Sequence, residues 1–372
     1  MYSYEILYEK AVALLQELIS IPSYSREEDK TARVLRAFLE SNEVVVQQEG
    51  YNVFANNKYY ESHKPTLLLN SHHDTVRPNR GYTRDPFNPT IDDGKLFGLG
   101  SNDAGGCLVS LIATFLYLHK RSDLPFNLLL AASAEEEISG ANGIEMVLPA
   151  LGKVDCAIVG EPTLFQMAVA ERGLMVLDCT AYGVAGHAAR NEGENALYSA
   201  LRDIDAIRNF TFDRVSPLLG ETRMCVTVIE TDNKQHNVVP PICRFVTDVR
   251  VNELYTFEEV LDLLQQKVKS KVLPRSTRLR STSISLDHPL VKAGQSLGCT
   301  YYGSPTTSDK ALMPFPALKI GPGDSARSHM ADEFIFLDEI RQGIEKYIHL
   351  VNQYGKLIVQ QQQIANETLA KG

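Results

Sequence analysis

Ligand-type side chains recur where apolar runs stop. LLLNSHHDT ends in His72, His73 and Asp74, NLLLAASAEEE in Glu135, Glu136 and Glu137, and CAIVGEPT in Glu161; ALKIG is followed by a loop that carries His329 in SHMADE. A fifth group, Asp103 of GLGSNDAGG, stands just before an apolar stretch of helical length. Imidazole nitrogen and carboxylate oxygen are donors that Zn2+ and similar borderline ions accept, and a catalytic site leaves positions open beside its protein ligands. Two ions about 3.5–4 Å apart need one carboxylate shared between them. The chemistry open to such a set is hydrolysis by an activated water.

Each residue alone has a plainer explanation. HHD can be a polar turn, and Asp103 suits a helix N-cap, where Asp accepts from free backbone N–H groups. Residues 135–137 suit the positive end of a helix dipole, and Glu161-Pro162-Thr163 can be a turn. The conjunction is what separates the metal reading from these. Asp74 also gains a purpose within it, because a ligating histidine usually donates its other N–H to an acceptor that fixes its tautomer. A carboxylate two residues on, across a tight strand end, can reach His72.

Bringing these residues together requires parallel strands. LLLN, NLLLAA and CAIV are short, continuous and apolar, the pattern of strands buried on both faces of a sheet. The carboxyl ends of parallel strands share one rim, and ligands bind there. Helical and strand-like segments alternate from residue 1 to about 160, which gives an α/β domain with a mostly parallel sheet flanked by helices. From residue 173 the order becomes strand, helix, strand, strand, helix, strand, read from GLMVLDCTAYGV, ENALYSALRDIDAIRNF, TRMCVTVIET, ICRFVTDVRV, TFEEVLDLLQQKVKS and RLRSTSISL. That is the ferredoxin-like α+β unit. A helix at LVKAGQSLG, a strand at ALKIG and a closing helix from Leu337 return to the first domain. The expected division is a discontinuous metal-binding domain, residues 1–172 and 286–372, with residues 173–285 inserted.

Composition narrows the partners. A chain of 372 residues with 44% apolar content suffices for two cores. The formal charge of −9, without a dense Lys/Arg cluster, argues against nucleic acid or an anionic membrane as main partner and leaves small molecules or proteins. The N-terminal segment carries Glu5, Glu9 and Glu17 within its apolar pattern and reads as an amphipathic helix, not a signal peptide. No apolar stretch approaches the ~20 residues that span a bilayer. Six scattered cysteines without a CxxC pair fit reduced thiols in a cytoplasmic protein.

In order and spacing, SHHD, the Asp of SNDAGG, SAEEE, GEPT and SHMADE resemble the motifs of the zinc aminoacylase and M20 metallopeptidase family. The resemblance runs from the first helix to beyond residue 340. It implies a zinc exopeptidase-like catalytic domain, a ferredoxin-like lid that dimerises, and two Zn2+, with Co2+ or Mn2+ as substitutes. His72 then matches a ligand and Asp74 its orienting carboxylate, with His73 as spacer. Asp103 matches the bridging carboxylate, Glu161 and His329 further ligands, and Glu136 and Glu137 the general base and a ligand; a one-residue slip would give Glu135 and Glu136 instead. His187 of GVAGHAAR matches a lid histidine that reaches a partner subunit's site. Asn237 and Arg250 match substrate-binding lid positions, and an Arg fork suits a carboxylate.

The implied reaction is hydrolysis of an N-acyl amino acid in a homodimer. The single short lid points first to an N-acetyl or N-succinyl ornithine or citrulline deacylase of arginine biosynthesis. Succinyl-diaminopimelate desuccinylase, a cytosolic di- or tripeptidase, and a non-catalytic metal- or amino-acid-binding member are the alternatives. One departure stands out: relatives commonly carry Asp-Met-Lys-Gly-Gly, whereas here Asp103 is followed by Ala104, Gly105 and Gly106.

Overall fold

A computed structural model of the chain describes residues 2–190 and 192–371. Two compact units make it up. One comprises Met1–Val169, Ile284–Tyr302 and Ser308–Gly372, the other Ala170–Ser283 and Gly303–Thr307.

Four strands of the first unit lie side by side and parallel, in the order Asn127–Ser133, Thr66–His72, Cys156–Val159 and Ala317–Lys319. Leu67, Leu68 and Leu69 stand opposite Leu128, Leu129 and Leu130, and all six are fully buried. Each such leucine contributes about 1.5–3 kcal/mol relative to exposure. Alternation sends them to both faces. On one face Leu68, Leu129 and Ala157 share a core with Ile144, Val147 and Leu151 of the helix Ile144–Leu151. The other face is covered by the helix Gly106–Leu118, buried at every residue except Tyr117 and packed between the helices Tyr4–Ile19 and Leu337–Lys371. Both faces being dry explains why these strands carry no polar alternation. Asn52–Asn56 and Met167–Glu171 extend the sheet as antiparallel strands that periodicity did not reveal. Among the described residues no helix is long and apolar enough to cross a membrane.

The second unit holds a four-stranded antiparallel sheet, ordered Arg223–Thr231, Ile242–Val251, Gly173–Tyr182 and Lys271–Pro274. Its helices are Ala196–Arg208, capped by Asn195, and Phe257–Gln265, which starts with a capping box of Thr256 and Glu259. Met175, Leu177, Cys179 and Ala181 face a core shared with Phe245, Val249, Val260 and Leu264. The strand-helix-strand-strand-helix-strand order holds, but its last member comes earlier in the chain than the sequence pattern places it. The closing strand is Lys271–Pro274, with Lys271 opposite Thr180, and RLRSTSISL contributes only Thr282–Ser283, paired with Met167–Glu171. The second helix stops at Gln265; Val268 follows in a turn, its N–H donating to the Leu264 carbonyl at 3.1 Å, and Val272 enters the core from the strand, so KVKSKVLP does not continue the helix.

His73 has a place of its own in the first unit. Successive strand residues point to opposite faces, and His73 is buried away from His72. Its Nδ1 lies 3.0 Å from the Thr31 hydroxyl and its Nε2 2.9 Å from the Tyr51 carbonyl. Burial lowers its pKa to about 4, so the ring is neutral near pH 7. It ties the strand to the helix Asp29–Ser41 and is more than a spacer. His73→Ala is expected to cost about 1–3 kcal/mol through the partners left unsatisfied, read by denaturant unfolding at pH 7. The folded-state pKa is depressed, so the neutral ring's contribution is present above about pH 6.5 and fades as pH falls toward 4. The gap between wild type and variant should therefore narrow at pH 5.

Candidate metal centre

His72 closes its strand at the carboxyl rim of the parallel sheet. Its Nδ1 sits 3.0 Å from the backbone carbonyl of Asp74 and 3.4 Å from that residue's carboxylate. Two acceptors on one side place the proton on Nδ1 and leave Nε2 as a free lone pair. Nε2 is buried without a hydrogen-bond partner, and it faces Asp103 at 3.4 Å, Glu161 at 3.8 Å and Glu136 at 3.9 Å. The carbonyl of Asp74, nearer than its carboxylate, thus makes the first contact to the ring. The Asp74 carboxylate accepts from the Ser25 hydroxyl at 2.7 Å and from the backbone N–H groups of Glu136 and Glu137, each at 3.1 Å. Burial opposes its charge, yet His72 and Ser25 hold the Asp74 carboxyl below its usual range.

Asp103 does not cap a helix. It lies in an irregular turn, Ser101–Gly105, with non-helical backbone, and the helix starts only at Gly106. Its two oxygens address different histidines: Oδ1 is 3.4 Å from His72 Nε2, and Oδ2 is 3.7 Å from His329 Nε2. His329 in turn lies 3.0 Å from Glu137. That hydrogen bond raises the His329 pKa to about 9. Its backbone holds φ 60°, in the left-handed region that a non-glycine residue adopts only under constraint, and its carbonyl accepts from Asn79 Nδ2 at 3.0 Å.

The turn after Asn127–Ser133 settles which acids face the centre. Glu135 is buried and accepts from Asn142 Nδ2 at 2.9 Å, whereas Glu136 and Glu137 are the acids near His72 and His329. Burial pushes the Glu136 carboxyl well above its usual range against the pull of His72, with Glu161 and Asp309 adding to the rise. For His72 burial disfavours charge, but Glu136, Asp103 and Asp74 outweigh it and raise its pKa well above the ordinary value; an ion held at Nε2 would take the place of that second proton.

This donor set fits divalent ions. Two ligand atoms at about 2.0–2.2 Å from one tetrahedral ion lie roughly 3.3–3.5 Å apart. The nitrogen-to-oxygen spacings around Asp103 are close to that value. His72, Asp103 and Glu137, and separately His72, Glu136 and Glu161, gather ligand atoms within 4.8 Å of one another. The buried, unpartnered Nε2 of His72 is the strongest sign, since a buried polar atom without a partner is costly unless something else binds it.

Three expected site residues belong to the second unit. His187 is exposed on the two-residue strand Gly186–His187, opposite Val238, and the N–H of Ala188 donates to the Asn237 carbonyl at 2.9 Å, so His187 and Asn237 are neighbours there. Arg250 is paired within its own strand with Asp248, at 2.8 and 3.2 Å. A substrate carboxylate would have to compete with Asp248.

Several residues near the centre had no role assigned from the sequence, although Glu333 closes the SHMADE motif. Glu333 is 2% exposed and accepts backbone N–H bonds from Gly100, Asn102 and Asp103 at 2.9, 2.8 and 2.9 Å. Burial and the charge of Asp103 push its carboxyl up to about 8 despite these donors. Glu28 accepts from the N–H of Glu135 at 3.0 Å. Asp309 accepts from the Ser133 hydroxyl at 2.5 Å and is pushed up to about 6 by burial. These groups act through backbone or hydroxyl donors, which no spacing rule registers. The missing lysine also has a local reason: a Cβ at Gly105 would lie 2.4 Å from the Gly100 carbonyl oxygen and 2.5 Å from Leu15 Cδ1. This loop has no room for a side chain at that position.

Residues 68–353 match the profile of Peptidase family M20/M25/M40. The chain is 24% identical over 372 residues to a succinyl-diaminopimelate desuccinylase of Wolbachia pipientis subsp. Culex pipiens, covering 92% of this chain and 93% of that protein. A protein of the same name from Cereibacter sphaeroides is 27% identical over 272 residues, 69% of this chain and 71% of its own. Among solved structures, aminopeptidase PepT of Bacillus cereus aligns with a TM-score of 0.75 at 17% identity, over 93% of this chain and 98% of that one. The YXEP protein of Bacillus subtilis, described as a dinuclear metal-binding peptidase, aligns with a TM-score of 0.72 at 16% identity, over 93% and 98%. The matched profile spans most of the sequence, including the candidate ligands from His72 to His329, and the chain belongs to peptidase family M20/M25/M40.

Proposed function

We propose that the protein hydrolyses the amide bond between an acyl group and an amino-acid nitrogen, with two Zn2+ as cofactors and Co2+ or Mn2+ able to replace them. The observation that carries this is Asp103, whose two oxygens face His72 and His329 separately. His72 and Glu161 would hold one ion, Glu137 and His329 the other, and Asp103 both. When bound, the ions supply Lewis acidity toward a carbonyl and lower the pKa of a water.

The chain's own residues do the rest. Asp74 and its carbonyl keep the proton of His72 on Nδ1, so that Nε2 remains a donor to metal. Glu136, half-buried and 3.9 Å from His72 Nε2, takes the proton of the attacking water and returns it to the leaving amine. No covalent acyl-enzyme is needed. We assign His187, Asn237 and Arg250 to substrate recognition, with His187 stabilising the oxyanion in a homodimer.

For the substrate, the curated relatives are named succinyl-diaminopimelate desuccinylase, and we take succinyl-diaminopimelate as the first candidate. This replaces the ornithine or citrulline deacylase of arginine biosynthesis, for which the relatives reported above offer no support. A panel of succinyl-diaminopimelate, acetyl- and succinyl-ornithine, acetyl- and succinyl-citrulline and short peptides, assayed with and without chelator, tests the reading. Chelator-sensitive release of amine is expected, fastest from the succinyl-diaminopimelate; a metal-loaded sample inert toward the whole panel would make the protein a binding module.

Two substitutions test the roles. Glu136→Ala should keep its metal content and lose at least ~100-fold in kcat, and near-normal turnover would remove Glu136 from proton transfer. His72→Ala should lose bound metal by elemental analysis, while His73→Ala retains it. Equal metal loss from both would show that the ligand assignment in this stretch is wrong.

A further inference from the structure

The loop that carries Asp103 and the segment that carries His329 are distant in sequence, yet they are fastened together by one dense set of hydrogen bonds. Glu333 supplies most of it. Its Oε2 accepts from Gly100 N–H, its Oε1 from both Asn102 and Asp103 N–H, and its own carbonyl accepts from Gly98 N–H at 2.9 Å. Asn102 adds a reciprocal pair, donating from Nδ2 to the Asp324 carbonyl and accepting from the Asp324 N–H, both at 3.0 Å. Glu333 lies four residues after His329, so the two share a short stretch of chain. The 3.7 Å spacing of Asp103 Oδ2 and His329 Nε2 is therefore set by these bonds and not by the sheet.

We propose that Glu333 is a positioning residue that fixes Asp103 against His329 and thereby sets the affinity for one of the two ions, the one His329 and Glu137 would hold. The assignment rests on the two-ion reading above. Glu333 touches neither ion nor substrate in this scheme; it acts through the backbone N–H of the shared ligand. A ligand displaced by a few tenths of an ångström on one side weakens that side's ion. The other ion shares Asp103, but its remaining ligands would be His72 and Glu161 at strand ends that Glu333 does not touch, so it feels the change less.

Glu333→Gln is the direct test. A glutamine must set its NH2 against at least one of the three N–H groups that the carboxylate now accepts, while keeping the side chain's size. Metal-free protein is titrated with Zn2+ by calorimetry, and with Co2+ followed by its visible absorption. Wild type is expected to bind two ions. The variant should bind one ion with little change and the second at least ~10-fold more weakly, its kcat recovering as Zn2+ is raised. In the Glu333→Gln, His329→Ala double variant, binding should be no weaker than in His329→Ala alone.

Should Glu333→Gln not fold, Asn102→Ala loosens the adjoining pair and is expected to weaken the same ion selectively, by a smaller factor. Two ions bound by Glu333→Gln as tightly as by wild type, or both weakened alike, would overturn the assignment and leave the two-ion reading standing. Wild type binding fewer than two ions would overturn both.

Discussion

Like charge is crowded at one end of the parallel sheet, and that repulsion is the constraint around which the first unit is built. Asp74, Asp103, Glu136, Glu137, Glu161, Asp309 and Glu333 gather there around the imidazoles of His72 and His329. Carboxylates in a water-poor site disfavour one another's charge unless cations or hydrogen-bond donors compensate. The fold answers in two ways. Backbone N–H groups are turned toward the carboxylates that hold loops in place, as with Asp74 and Glu333. The remaining acids face the unpartnered nitrogen of His72, where a divalent ion fits.

What makes such crowding tolerable is the rigidity beneath it. The leucine layer of Thr66–His72 and Asn127–Ser133 is buried on both faces, so the strand ends have no freedom to spread. Side chains held at a strand end are placed by the sheet. Those on loops, Asp103 and His329, need local fastening, and they are where the buried acid Glu333 and the left-handed backbone at residue 329 occur. The centre is thus half sheet and half clamp.

The same division explains what could be read from sequence. His72, Glu136, Glu137 and Glu161 were legible because apolar runs mark parallel strands, and the ends of such runs share a rim. Asp103 and His329 were legible only by their company. Glu28 and Asp309 were not, and Glu333 stood inside SHMADE without a role, since a carboxylate that accepts backbone N–H or hydroxyl donors can come from anywhere in the chain. His73 was misjudged as a spacer because its partners, Thr31 and the Tyr51 carbonyl, are tertiary. In the second unit, the closing strand has only Val272 buried, too short a pattern to outweigh the helical run before it.

The discontinuity of the first unit has a consequence for how the protein is made. The strand Ala317–Lys319, which lies beside Cys156–Val159, and the segment bearing His329 and Glu333 are synthesised after the entire second unit. Until they emerge from the ribosome, the nascent chain holds His72 and Glu161 without the loop fastening that places Asp103. An ion captured early would meet an incomplete set of ligands. The candidate ligands are therefore complete only once the last quarter of the chain has been translated, with the inserted unit standing in sequence between the two halves of one centre.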